Sequence, residues 1–167
     1  MKKTREKDRV VSGLNIKEDN LVFQMDELYK VMKEWGEINR YRLIERTIQG
    51  GSSVEMKEER IEWHLERKLD DFTKFVIRVI IKLSGKDINI KSRGKALKGG
   101  CDITIDSWLL TDYEREWEVI PIFKFIKGFY DKFVLFGKYD RYFENLKKDT
   151  YGFFNEIKAF LDLNISR

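Results

Sequence analysis

Apolar residues recur at two different periods along the chain, and each change of period marks an element. From Asn20 onward Leu21, Met25, Leu28, Met32 and Trp35 follow at spacings of four, three, four and three, which predicts a helix with one apolar stripe. Asp19 or Asn20 is placed to cap its start, and Gly36 to follow its last turn. Tyr41 to Ile48 is rich in β-formers and runs through Gln49-Gly50-Gly51-Ser52 toward Val54 and Met56, which predicts a first hairpin. Ile61, Trp63 and Leu65 then alternate with Glu62, His64 and Glu66, and Phe75, Ile77, Val79, Ile81 and Leu83 take every second place. Both read as strands with one buried and one polar face.

Pairing those two strands fixes a register. A two-residue turn at Asp70-Asp71 would set Leu65 against Val76 and mix apolar with polar faces, because a one-residue slip inverts every side chain. A loop of three or five residues, such as Asp70-Asp71-Phe72, instead sets Leu65 against Ile77, Trp63 against Val79, Ile61 against Ile81 and His64 against Arg78. Ser84-Gly85-Lys86-Asp87 predicts the next turn, Ile88 and Ile90 a short strand, and Gly94 with Gly99-Gly100 a break. Cys101, Ile103 and Ile105 restart the alternation in a strand heading for Tyr113.

After Trp117 the period becomes helical. Pro121 suits a first helical position, and Ile122, Phe125, Ile126, Phe129, Phe133 and Phe136 follow up to Gly137. Asp140 is placed to cap a second helix with the stripe Phe143, Leu146, Thr150, Phe153, Phe154, Ile157, Phe160 and Leu161. The expected architecture is one α+β domain over residues 10–167 behind a frayed charged tail, 1–9. It has an N-terminal helix, an antiparallel sheet of about five strands, and two C-terminal helices packed on one face of the sheet.

Composition narrows the class. The 167 residues are 42% apolar and 37% charged, enough to bury a core without staples, and neither disordered nor collagenous. The single cysteine rules out an internal disulfide. The chain holds 21 Lys, 16 Glu and 17 Ile against 2 Gln and 1 Pro, a bias of heat-adapted proteins, and a cytoplasmic location is expected. Met1 to Arg9 carries no secretory signal, and Val119 to Phe136 is interrupted by Lys124, Lys127, Asp131 and Lys132, which excludes a spanning helix there.

Four phrases carry a resemblance: Glu62-Trp63-His64-Leu65-Glu66-Arg67-Lys68 running into Asp70-Asp71, Asp112-Tyr113-Glu114-Arg115-Glu116-Trp117-Glu118, Gly128-Phe129-Tyr130-Asp131-Lys132-Phe133, and Asn155-Glu156-Ile157-Lys158-Ala159-Phe160-Leu161. Together, from about Leu28 to Leu163, the chain resembles a family of small uncharacterised archaeal proteins, which implies no activity. By element order alone, helix then curved sheet then long helix, it is also similar to the helix-grip (START-like) architecture, with an added helix after Pro121.

Candidate chemistry is sparse. His64 is the one histidine, and Glu62 and Glu66 lie about 7 Å apart along a strand face, too far to hold an ion without further ligands, so no metal is expected. Cys101, in phase with Ile103 and Ile105, reads as a buried inert thiol. Asp102 and Asp106 share an outer strand face, as do Glu62 and Glu66, and either pair offers acid/base chemistry if a cleft raises one pKa, but Lys74, Arg78 and Lys82 opposite offer both pairs ion pairing instead. The glycine segments lack phosphate-loop and dinucleotide spacings, so no cofactor and no catalytic residue are expected.

The distinctive charge lies between Lys82 and Lys98, where Lys82, Lys86, Lys91, Arg93, Lys95 and Lys98 face one acid, Asp87. Such a hairpin suits contact with the phosphate backbone of RNA or DNA in a non-enzymatic interaction protein, or else serves as a solubilising edge. Two alternatives stay open. One is a carrier of an apolar small molecule or lipid between sheet and helices, lined by Trp63, Trp108, Trp117, Phe129 and Phe133. The other uses the broad apolar surface of 122–136 to meet a protein partner, a second subunit or a membrane surface.

Overall fold

The computed structural model describes residues 7–52, 56–111 and 136–165. The alternating segments around Ile61 and Ile77 form β3 (Lys57–Lys68) and β4 (Thr73–Ile90). They pair in the register that face-matching demands: Leu65 opposite Ile77, Trp63 opposite Val79, Ile61 opposite Ile81, and His64 opposite Arg78. The Leu69 amide still bonds the Thr73 carbonyl at 3.0 Å, which leaves Asp70, Asp71 and Phe72 as the loop. Asp70 Oδ1 shapes it by accepting from the amides of Phe72 (2.9 Å) and Thr73 (2.7 Å). Asp70→Ala is therefore expected to cost about 1–2 kcal/mol in urea unfolding. Asp71→Ala should stay within about 0.5 kcal/mol, and equal costs would show that the loop carboxylate does not shape the turn.

Three other strands complete the sheet: β1 (Lys7–Phe23), β2 (Arg42–Ser52) and β5 (Gly94–Thr111), in the order β1-β5-β4-β3-β2 and antiparallel throughout. The five-strand count agrees with the sequence reading, but the strands are drawn differently. Residues 7–9, expected to fray, pair with Leu110, Leu109 and Trp108. Gly50 and Gly51, expected in a turn, lie in β2 opposite Glu59 and Glu58. Ser84 to Asp87 and Gly99-Gly100 are not breaks either, because β4 and β5 run past them as one long hairpin. It turns at Lys91 to Arg93, where the Arg93 amide meets the Ile90 carbonyl at 3.1 Å and Gly94 takes φ +82. Gly85 and Gly99 face each other where the strands approach too closely for side chains. A Cβ on Gly85 would stand 2.4 Å from the Lys98 oxygen, and one on Gly99 2.1 Å from the Ser84 oxygen.

The first helix, α1 (Met25–Ile38), starts later than expected because Leu21 and Phe23 are inward-facing residues of β1. Gln24 precedes it, and its Nε2 donates to the carbonyls of Arg93 and of Lys95 (3.1 Å), fastening the hairpin end to the strand-helix junction. Gly36 is a buried helical residue rather than the stop. Arg40 takes the left-handed conformation at φ 65, and the returning Tyr41 amide bonds the Gly36 carbonyl at 2.7 Å.

The last described helix, α2 (Phe136–Leu163), includes Gly137 and buries Leu146, Thr150, Phe153, Ile157 and Leu161. This is the stripe read from the sequence. Tilted ring contacts join Phe153 to Trp35 (4.9 Å), while Tyr41 donates its hydroxyl to Asp149 at 2.7 Å. Thr150 donates to the Leu146 carbonyl at 2.6 Å and lies 2.9 Å from the Ser107 hydroxyl. A hydroxyl carries one proton, so Ser107 donates in the second bond.

The protein is thus α+β with a strand ahead of its first helix and, among the described residues, one helix after the sheet rather than two. The helix expected over 122–136 lies outside the described residues. Both described helices cover the inner sheet face, where Ile61, Leu65, Ile77, Val79, Ile81, Ile103 and Ile105 form the core. At one edge the Val22 amide bonds the Asn164 carbonyl at 3.0 Å, with a bridge from Leu21 to Ile165.

Candidate anion-binding face of the sheet

The outer face is built by register. Strand pairing places Lys17, Asp102, Lys82, Arg60 and Gln49 in one row across all five strands, from β1 to β2. Residues far apart in sequence thereby form a band of three cations around a single carboxylate. The band lines an open cleft of about 550 Å³, whose wall also carries Asp19, Glu58 and Glu59 together with Ser84 and Gly100. A second cleft of about 470 Å³ adjoins it through Asp19, Ser84 and Gly100, and is lined by Lys86 and Lys98, which face each other across β4 and β5.

These cations make few direct ion pairs, although Asp19, Glu58 and Glu59 stand on the same cleft wall. Asp102 is engaged by Asn15, whose Nδ2 donates to its Oδ1 at 2.6 Å. Arg60 meets Glu62 only at 3.9 Å, and that carboxylate also lies 2.9 Å from His64 Nε2. Among the described residues no acid pairs with Lys17, Lys82, Lys86 or Lys98.

Of the six basic residues singled out in the sequence, Lys82, Lys86 and Lys98 come together here. Lys91 and Arg93 sit in the hairpin turn, and Lys95, opposite Asn89, lies on the other face. Lys17 and Arg60 were missed, since pairing across distant strands leaves no local signal. Arg78 pairs with Asp106 at 2.8 Å and Lys74 with Glu66 at 2.9 Å, both as the opposed charges suggested.

Of the five residues of the apolar alternative, two are placed, and they lie on opposite faces of the sheet. Trp63 lies on the inner face against Tyr29, ring centroids 5.2 Å apart, whereas Trp108 lies on the outer face, out of phase with Ile103 and Ile105. Neither lines either cleft, and Trp117, Phe129 and Phe133 lie outside the described residues. Cys101 is buried, and that burial, with the Asp102 charge, pushes its thiol up to about 12, which keeps it protonated and unreactive.

No family model, curated protein or solved structure matches the chain. Among the described residues no three His, Cys, Asp or Glu side chains converge to hold a metal, and no helix is long and apolar enough to cross a membrane.

Proposed function

We propose that the protein binds the phosphate backbone of a nucleic acid across the outer face of its sheet. The row Lys17, Asp102, Lys82, Arg60 and Gln49 carries this reading, because it sets three cations in line over an open cleft with Lys86 and Lys98 beyond them. A row of lysines and one arginine neutralises phosphates without reading bases. The clefts present no aromatic side chain, only Met56, Leu83 and Ile88 as large apolar ones, so base stacking contributes little and binding is weakly sequence-specific.

Fluorescence anisotropy with labelled single-stranded RNA and duplex DNA, from about 50 to 200 mM salt, tests it. Affinity should fall steeply with salt, and the Lys17→Gln, Arg60→Gln, Lys82→Gln triple variant should lower the slope by about 2–3 and the affinity at least tenfold. Lys91→Gln and Lys95→Gln, off this face, should change it little. Absence of binding at about 50 mM salt, or a triple variant that binds like the parent, overturns the proposal.

A further inference from the structure

About six residues farther along β5 from Asp102, roughly 20 Å away, the same sheet face carries a second and different arrangement. Trp108 is 4% exposed there, and three cations gather on its indole. Lys7 Nζ stands 3.9 Å from the ring centroid, the Arg78 guanidinium 4.7 Å and that of Arg9 5.7 Å. The π-face holds the cations in place, while Arg9 Nη1 also donates to Ser12 Oγ at 3.3 Å, which leaves part of the donor set of the three side chains for a ligand.

One carboxylate belongs to the group. Asp106 accepts from Arg78 Nη2 at 2.8 Å and from the Gly13 amide at 2.9 Å, so each of its oxygens is occupied. Burial raises its pKa, but the bonds from Arg78 and Gly13 outweigh that and keep it ionised. The neighbouring charges are matched elsewhere: Lys74 binds Glu66, and His64, opposite Arg78, lies on Glu62. Three cations against one carboxylate leave an excess of two positive charges. Strain from that excess shows in Lys7, whose ammonium pKa is lowered by burial and by the charges of Arg78 and Arg9. Arg78 Nε is buried without a hydrogen-bond partner.

An excess of two charges with donors on three side chains matches a ligand of charge near −2 with three terminal oxygens, as a phosphate monoester is at neutral pH. We infer that Lys7, Arg9 and Arg78, gathered on Trp108, form a binding site for a phosphate monoester dianion, free or esterified to a small molecule. The site is separate from the clefts and stands whether or not those bind nucleic acid.

Isothermal titration in a phosphate-free buffer near pH 7.5, at fixed ionic strength, tests it with inorganic phosphate, phenyl phosphate and dimethyl phosphate. Inorganic phosphate or phenyl phosphate should bind, and the tighter of the two tells the free from the esterified source. The singly charged diester should bind at least about tenfold more weakly. Arg78→Gln and Lys7→Gln should each weaken monoester binding about tenfold or more, and Lys17→Gln should leave it unchanged. Added phosphate should raise the melting temperature of the parent more than that of Lys7→Gln. Should Arg78→Gln fail to fold, Lys7→Gln and Arg9→Gln, both at exposed positions, carry the test. No binding of either monoester, or binding untouched by these substitutions, overturns the inference.

Discussion

Gly99→Ala is expected to destabilise the protein by about 3 kcal/mol or more, a large fraction of what holds a domain folded. The methyl would begin 2.1 Å from the Ser84 oxygen and 2.6 Å from Gly85 Cα. Both are backbone atoms in a continuous ladder, so no side chain can swing aside, and β4 and β5 would have to part. Each lies in the interior of the sheet, hydrogen-bonded on both sides, which spreads the displacement to β1 and β3. Gly51→Ala is the control, because a Cβ there meets nothing within 4 Å. Urea unfolding of the two variants measures the difference. A cost below about 1 kcal/mol for Gly99→Ala would mean that the hairpin yields at this point and that the glycine pair is not required.

Phe153→Ala is expected to cost about 3–5 kcal/mol. Phe153 is fully buried, at 0% exposure, and stacks on Trp35 of α1 while its helix lies on β1 and β5. Its removal leaves a cavity where the two described helices and the sheet meet. Phe154, the next residue, is only half-buried and should cost about 1 kcal/mol on truncation. Similar losses from both in thermal or urea unfolding would contradict the assignment of the buried stripe.

The parts of the fold legible in the sequence are those where one period holds without interruption. Between Ile61 and Leu83 alternation is unbroken, and the face-matching argument returns the register of β3 on β4 residue by residue. The stripe from Leu146 to Leu161 is equally regular. β1 was illegible for a physical reason: its register shifts between Arg9 and Val11, Val11 and Leu14, and Glu18 and Leu21. The buried residues Val11, Ile16, Leu21 and Phe23 therefore fall out of step with a period of two, and Gly13 at φ +68 marks the bend. Glycine misled elsewhere because a turn and a close approach of two backbones select the same residue. Gly85 and Gly99 are the second kind.

Charge was legible and its grouping was not. The sequence shows that Lys82, Lys86 and Lys98 are basic, but only the register of five strands aligns Lys82 with Lys17 and Arg60. The cluster on Trp108 likewise joins residues from β1, β4 and β5. No local window holds either set.

The placement of β1 beside β5 also governs how the molecule is made. Lys7 pairs with Leu110 and Ile16 with Ile103, so the first strand in sequence finds its place only after the last has been formed. The segment from β2 through β5 can zip up from local hairpins, whereas β1 must close a loop of most of the sheet. Loop closure of that length slows folding and prolongs the interval in which a free edge is exposed. During synthesis the row that ends at Lys17 is thus incomplete until β5 has left the ribosome, and the face proposed to bind anions is the last part of the sheet to exist.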